Sequence, residues 1–243
     1  MSEMVNIGKT PVYIAKPAGE VKGGLIVIHE VWGLTDHIKD VAERYAKQEF
    51  LVYAPDLLSN TGIEEKTTSQ LQQDLFNPEK RNEVQPKLRE LMAPIQAPDF
   101  AEKTVEALKE VFNNLYIDPT INKKVAVLGF CFGGTYSFNL AIAEPRLAAA
   151  IPFYGHSDQS SDELKSIQAP MLAFYGEKDE ALVSKLPDLE TRMKEANVEF
   201  SYQVYANCGH AFFNDSNPYA YNKQAADDAW RRSLDFLNSQ FSR

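Results

Sequence analysis

Cysteine is scarce in this chain, with two among 243 residues. One of them stands in the run Gly129-Phe130-Cys131-Phe132-Gly133-Gly134. Glycine two before and two after the cysteine is the G-x-S-x-G spacing of a nucleophile elbow, with sulfur in place of oxygen. Such a turn is too sharp for side chains at the flanking positions. It also lifts the nucleophile to a helix N-terminus, where the positive dipole end favours a thiolate. The same turn points the amide of Phe132 at a developing oxyanion. A lone cysteine more often packs as a small hydrophobe, so Cys131 needs partners before it means catalysis.

A thiol nucleophile needs a base within reach and a group to orient that base. Beyond Cys131 the chain has only two histidines, His156 and His210. His210 lies in YANCGHAFFN, after the strand-like FSYQVYA and before the last helical stretch, which suits the base. The acid belongs after the preceding strand. PMLAFYGEKDE offers Asp179 there, with Glu177 as the fallback. A further segment, His29-Glu30-Val31-Trp32-Gly33, follows the apolar run GGLIVIH. Its Val31 amide is the second candidate oxyanion donor, and Glu30 is an additional carboxylate for the thiol's surroundings. Trp32, Tyr154 and Phe212 are candidates for an apolar substrate pocket, although aromatics in such positions also fill cores. His37 and His156 read as residues at the surface or at element ends.

Alternating segments must carry these residues. Gly23–His29, Phe50–Asp56, Lys124–Phe130, Leu147–Gly155, Pro170–Gly176 and Phe200–Ala206 read as strands. Helical patterns cover His37–Gln48, Phe100–Leu115, the stretch after Cys131, Leu186–Ala196 and Ala220–Phe241. Buried β-rich runs alternating with helices predict one α/β domain over 1–243, built on a mostly parallel central sheet with helices on both faces. Residues 57–98 break the rhythm: they are polar and proline-containing, yet LQQDLF and PKLRELM are helical in character. A solvated helical connection and a lid-like insertion fit this stretch equally well.

Composition narrows the function. A net charge of −9 repels phosphate backbones and argues against nucleic acid as a partner. The N-terminal sequence lacks a basic segment followed by an apolar core, and no apolar run approaches a bilayer span. A cytoplasmic protein with no membrane contact is the expectation, as a monomer or small homo-oligomer. Scattered histidines and the absence of H-E-x-x-H, C-x-x-C or a helix-opening G-x-G-x-x-G argue against a metal and against a dinucleotide cofactor.

Taken together, HEVWGL at His29–Leu34, GFCFGG at Gly129–Gly134, YGEKDE at Tyr175–Glu180 and CGHAFFN at Cys208–Asn214 resemble the dienelactone hydrolase (carboxymethylenebutenolidase) family from about Val12 to Phe241. The resemblance implies an α/β-hydrolase fold and a cofactor-free lactone or ester hydrolase. It implies Cys131 as nucleophile, His210 as base, Asp179 as its orienter, and Glu30 as the carboxylate that holds the resting thiol and helps deprotonate it. Family members acting on dienelactone hold the substrate carboxylate with arginines, one of them four residues after the histidine. Here that position is the neutral Asn214. The other falls in the 57–98 segment, where Arg81 and Arg89 are both candidates. The resemblance thus implies the chemistry and leaves the substrate open. The alternative of another class is a hydrolase-fold binding or regulatory protein without turnover.

Overall fold

Unbroken apolar runs in the middle of the chain form the central strands of one sheet. The computed structural model describes residues 2–63, 65–76 and 79–242, with the side chains of residues 65, 66, 69, 73, 76, 81 and 82 outside that description. Its strands are β1 (Ser2–Ile7), β2 (Thr10–Ala15), β3 (Gly23–Ile28), β4 (Phe50–Pro55), β5 (Val125–Phe130), β6 (Ala149–Phe153), β7 (Met171–Gly176) and β8 (Phe200–Tyr205). They pair in the order β1-β2-β4-β3-β5-β6-β7-β8. The β1–β2 and β2–β4 pairs are antiparallel, and every pair from β4 through to β8 is parallel. Strands β3 to β6 are buried along their whole length, as expected of parallel strands covered on both faces.

The two-residue period of a strand divides the core between the faces. Ile26, Ile28, Val125 and Val127 point to one side, where they pack with α4 (Phe100–Tyr116), α5 (Phe132–Ala143) and α8 (Leu186–Glu195). Leu25, Val27, Ala126 and Leu128 point to the other and meet α1 (Asp36–Ala46) and α9 (Lys223–Phe241). The remaining helices are α2 (Glu65–Phe76), α3 (Arg81–Leu91), and the single turns α6 (Ser161–Leu164) and α7 (Glu180–Val183). No helix among the described residues is long and apolar enough to cross a membrane.

Two features depart from the sequence-based expectation. Residues 2–15 form a hairpin at the sheet edge, where β1 is mostly exposed and so lacks the apolar run that marks the inner strands. The expected strand Leu147–Gly155 shrinks to Ala149–Phe153, because Tyr154 turns out of the sheet at φ 38°.

The strand order reverses at β3, which lies between β4 and β5. Such a switch point opens a crevice beyond the carboxyl ends of the strands. Ile28 of β3 sits beside Gly129 of β5, so the segments that follow them, with Glu30 and Cys131, emerge side by side.

Candidate active site

Cys131 links β5 to α5 with φ 56° and ψ −113°. That backbone region costs a side-chain-bearing residue on the order of 1–3 kcal/mol and persists only where its surroundings enforce it. Two glycines do the enforcing. A Cβ on Gly129 would stand 2.1 Å from the carbonyl oxygen of Gly133, and one on Gly133 would stand 2.3 Å from that of Ile28. The turn is further pinned by the Cys131 amide on the Phe153 carbonyl (3.0 Å) and the Gly133 amide on the His29 carbonyl (3.1 Å). Cys131 is half-buried and unpaired. It stands at the N-terminus of α5, whose unsatisfied amides carry the positive end of the helix dipole.

The loop after β8 brings His210 to the same rim. Its Nδ1 lies 2.5 Å from Oδ2 of Asp179, which stands just beyond β7 at the start of α7. Cys131 lines the same cleft as this ring. Burial alone would lower the imidazole's pKa, but the hydrogen bond to Asp179 and the interactions with Cys131, with the charges of both, push it up to about 10. Because 43% of the His210 side chain remains exposed, solvent weakens both influences. The Tyr154 ring supports His210 from below, centroid to centroid at 4.9 Å.

The segment after β3 supplies the other wall. His29 accepts the Leu57 amide at Nε2 (3.0 Å), which leaves Nδ1 to donate to the Glu30 carbonyl (2.6 Å). Burial keeps this imidazole neutral by lowering its pKa, and the ring stacks on Phe132. A turn closed by the Gly33 amide on the Glu30 carbonyl (3.2 Å) leaves the Val31 amide free. Neither that amide nor the Phe132 amide has a hydrogen-bond partner among the described residues. The Glu30 carboxyl is almost wholly buried. It accepts from Nδ2 of Asn214 (2.7 Å) and from the Tyr154 hydroxyl (3.4 Å). Burial raises its pKa, and the His37 charge, the Asn214 amide, the His210 charge and the Tyr154 hydroxyl offset only part of that rise.

Above these groups lies a cleft of about 420 Å³, lined by Glu30, Val31, Trp32, Leu75, Gln85, Cys131, His210, Ala211, Asn217, Tyr219 and Ala220. The wall is mainly apolar, with Gln85, Asn217 and Tyr219 as its neutral polar side chains. Leu75 comes from α2 and Gln85 from α3, so the 57–98 segment contributes to the cleft. Among the described residues no group of three or more metal-ligating side chains comes together.

Residues 10–241 match the model of the dienelactone hydrolase family. The chain belongs to that family. It is 32% identical to a candidate carboxymethylenebutenolidase of Saccharolobus solfataricus, over 94% of this chain and 93% of that one. It is also 32% identical to the protein usf of Aquifex pyrophilus, over 98% of each. Among solved structures, a candidate dienelactone hydrolase from Klebsiella pneumoniae superposes with a TM-score of 0.81 over 98% of both chains at 23% identity. The protein is therefore a hydrolase of the dienelactone hydrolase family with an α/β-hydrolase fold.

Within this family member Cys131, His210, Glu30, Val31 and Trp32 line one cleft, with Asp179 behind His210 and Phe132 next to Cys131 at the start of α5. It corrects several expected substrate contacts. Asn214 is fully buried; its amide nitrogen binds Glu30, and its oxygen accepts from the Ser216 amide (3.0 Å) and hydroxyl (2.6 Å). It is thus a partner of the carboxyl and no anchor for substrate. Tyr154 and Phe212 are buried too and pack on each other at 5.7 Å, beneath the cleft floor. Arg89 is exposed on α3, one turn past Gln85 and away from the cleft lining. The Arg81 side chain lies outside the described residues. Glu177, the fallback acid, accepts the Asn207 amide (2.9 Å) and braces the histidine loop. His37, expected at the surface or at an element end, is the second residue of α1 and is buried. Sequence reasoning missed Leu75, Gln85, Asn217, Tyr219 and Ala220, which carry no motif; position alone brings them to the cleft.

Two measurements check this geometry. Gly133→Ala should lower stability by about 1–3 kcal/mol or more, seen as a lower denaturant midpoint, because the new Cβ meets backbone and not a movable side chain. Asp179→Asn should pull the His210 titration well below about 10, followed by imidazole 15N NMR. The sign for stability follows: the folded value exceeds the 6.5 of a free imidazole, so this contribution is complete below about pH 6.5 and fades as pH rises toward 10.

Proposed function

We propose that this protein hydrolyses lactones or activated esters through a thioester on Cys131. The observation that carries the proposal is a sulfur at a strained strand-to-helix turn, lining one cleft with an imidazole whose Nδ1 is fixed 2.5 Å from a carboxylate. This is the arrangement of a nucleophile, a base and the base's orienter. The family membership supports the same reading.

Substrate enters the apolar cleft with its carbonyl oxygen toward the Val31 and Phe132 amides. The sulfur attacks the carbonyl carbon, and the two amides stabilise the oxyanion as charge develops. Glu30 takes up the thiol proton as the substrate arrives. Collapse of the tetrahedral species expels an alkoxide or enolate, which His210 protonates. A lactone stays tethered by its acyl end at this stage. His210, held by Asp179, then takes a proton from water and the water oxygen attacks the thioester; cleavage of the C–S bond releases the carboxylic acid and the Cys131 thiolate, which takes its proton back from Glu30. Enolates and aryloxides are better leaving groups than alkyl alkoxides, so enol lactones and aryl esters are the favoured substrates. Leu75 and Gln85 make α2 and α3 a lid-like cover that limits water at the thioester.

A panel of lactones and aryl esters tests the proposal. Cys131→Ala should lower kcat/KM by roughly ten-thousand-fold or more with the fold intact by circular dichroism. Hydrolysis at the wild-type rate in that variant would overturn the assignment. A wild-type protein inert to the whole panel and slow to react with iodoacetamide would favour a binding role instead.

A further inference from the structure

One large side chain in the cleft has no partner. Tyr219 lines the cleft with Cys131 and His210, yet it is 62% exposed. Among the described residues its hydroxyl makes no hydrogen bond and its ring no aromatic or cationic contact; its backbone amide alone is engaged. Met4 and Ile117, the other large apolar side chains exposed by more than half, lie on β1 and just past α4, and neither lines the cleft. An isolated exposed ring on an open surface is ordinary. A bare ring inside a concave, mainly apolar wall is a contact surface for a ligand.

The backbone that presents this ring is fixed. The Asn217 carbonyl accepts the amides of Ala220 (3.2 Å) and Tyr221 (2.9 Å), and its side-chain oxygen accepts the Tyr219 amide (3.1 Å). The turn hangs from the core, because the Asn217 amide donates to the carbonyl of Asn214 (3.1 Å), the buried partner of Glu30. Its far end is tied by Asn222, which caps α9 through the Ala225 amide (3.1 Å) and donates its own amide to the Phe212 carbonyl (3.0 Å). That last bond brings the two ends of residues 212–222 together, so Ala220 and Tyr219 return to the side of the cleft that carries Ala211 and His210. The remaining apolar walls, Val31, Trp32 and Leu75, come from the loop after β3 and from α2.

We propose that Tyr219 is the specificity-determining residue of this cleft, its ring taking up a planar aromatic group on the leaving-oxygen side of the ester. The proposal rests on the reading of the cleft as an ester site in which His210 protonates the leaving oxygen. The group attached to that oxygen must then lie toward His210, on the side where the 212–222 loop holds Tyr219. Two χ angles and a fixed turn make this ring a contact surface with little conformational entropy to lose. An aromatic group offset-stacked or set edge-on to it gains more than an aliphatic group of the same area. The preference is separate from leaving-group chemistry, which acts on the rate of expulsion and not on the fit of the ring.

The test uses two acetates whose leaving groups are of similar acidity, phenyl acetate and hexafluoroisopropyl acetate, so that only aromaticity distinguishes them. In Tyr219→Ala the ratio of their kcat/KM values, phenyl over hexafluoroisopropyl, should fall by about tenfold, and in Tyr219→Phe it should stay within about twofold of wild type. The loss should appear in KM, as expected for uniform binding. An unchanged ratio in folded Tyr219→Ala would overturn the proposal, as would a fall in Tyr219→Phe as large as in Tyr219→Ala, which would assign the effect to the hydroxyl. A binding arm needs no turnover: ligand-observed NMR follows acetanilide and N-cyclohexylacetamide, amide counterparts of aryl and aliphatic esters, on Cys131→Ala protein. Adding Tyr219→Ala should weaken acetanilide by about tenfold relative to N-cyclohexylacetamide. Equal weakening of both, or no acetanilide binding to the parent, would overturn the proposal. Failure of the ester reading shows separately, as a wild-type protein inert to both acetates or an active Cys131→Ala.

Discussion

The site depends on one steric constraint, the contact between Gly133 and the last carbonyls of β3. With no Cβ, Gly133 places its amide 3.1 Å from the His29 carbonyl, and any side chain there would enter the backbone of Ile28. This contact fixes the pitch of the β5–α5 turn and so holds Cys131 at positive φ. It also joins the elbow to the loop that carries Glu30 and Val31. Cys131, the candidate oxyanion donors and the buried carboxyl are thus parts of a single backbone junction, and the strain at Cys131 is sustained by the packing of two central strands.

Electrostatics divides the site into matched groups within a strongly acidic protein. Asp179 and Asp215 each hold a histidine, at 2.5 Å and 3.0 Å. Glu30 differs, being buried and held by neutral donors. Burial raises its pKa, and its neighbours, the Asn214 amide among them, offset only part of that rise. His29 has the opposite character: with both nitrogens committed, it is a neutral strut between the β3 loop and Leu57.

Much of this could be read from the chain because it is carried by local patterns. Apolar runs marked β3 to β7 to within a few residues, and the glycine spacing marked the elbow. The order Cys131, Asp179, His210 followed from strand ends. The missing pieces are long-range and polar. Asn214 meets Glu30 across 184 residues, and His37 meets Asp215 across 178; neither contact leaves a periodic trace. Asn214 stands where the family's arginine would face substrate, but it is buried and its amide turns toward Glu30. The edge hairpin of residues 2–15 escaped because an exposed strand needs no apolar run. Within residues 57–98 the helical character was visible, while the side that meets the cleft is set by tertiary packing.

The central claim is that acyl transfer passes through the sulfur of Cys131. Rapid-quench intact-protein mass spectrometry during turnover of an aryl ester tests it most directly, with peptide mapping to locate the adduct. The account predicts a transient mass increase equal to the acyl group, located on Cys131 and discharged at the steady-state rate. Turnover with the acyl group on another residue, or a Cys131 adduct that forms and never clears, would contradict it.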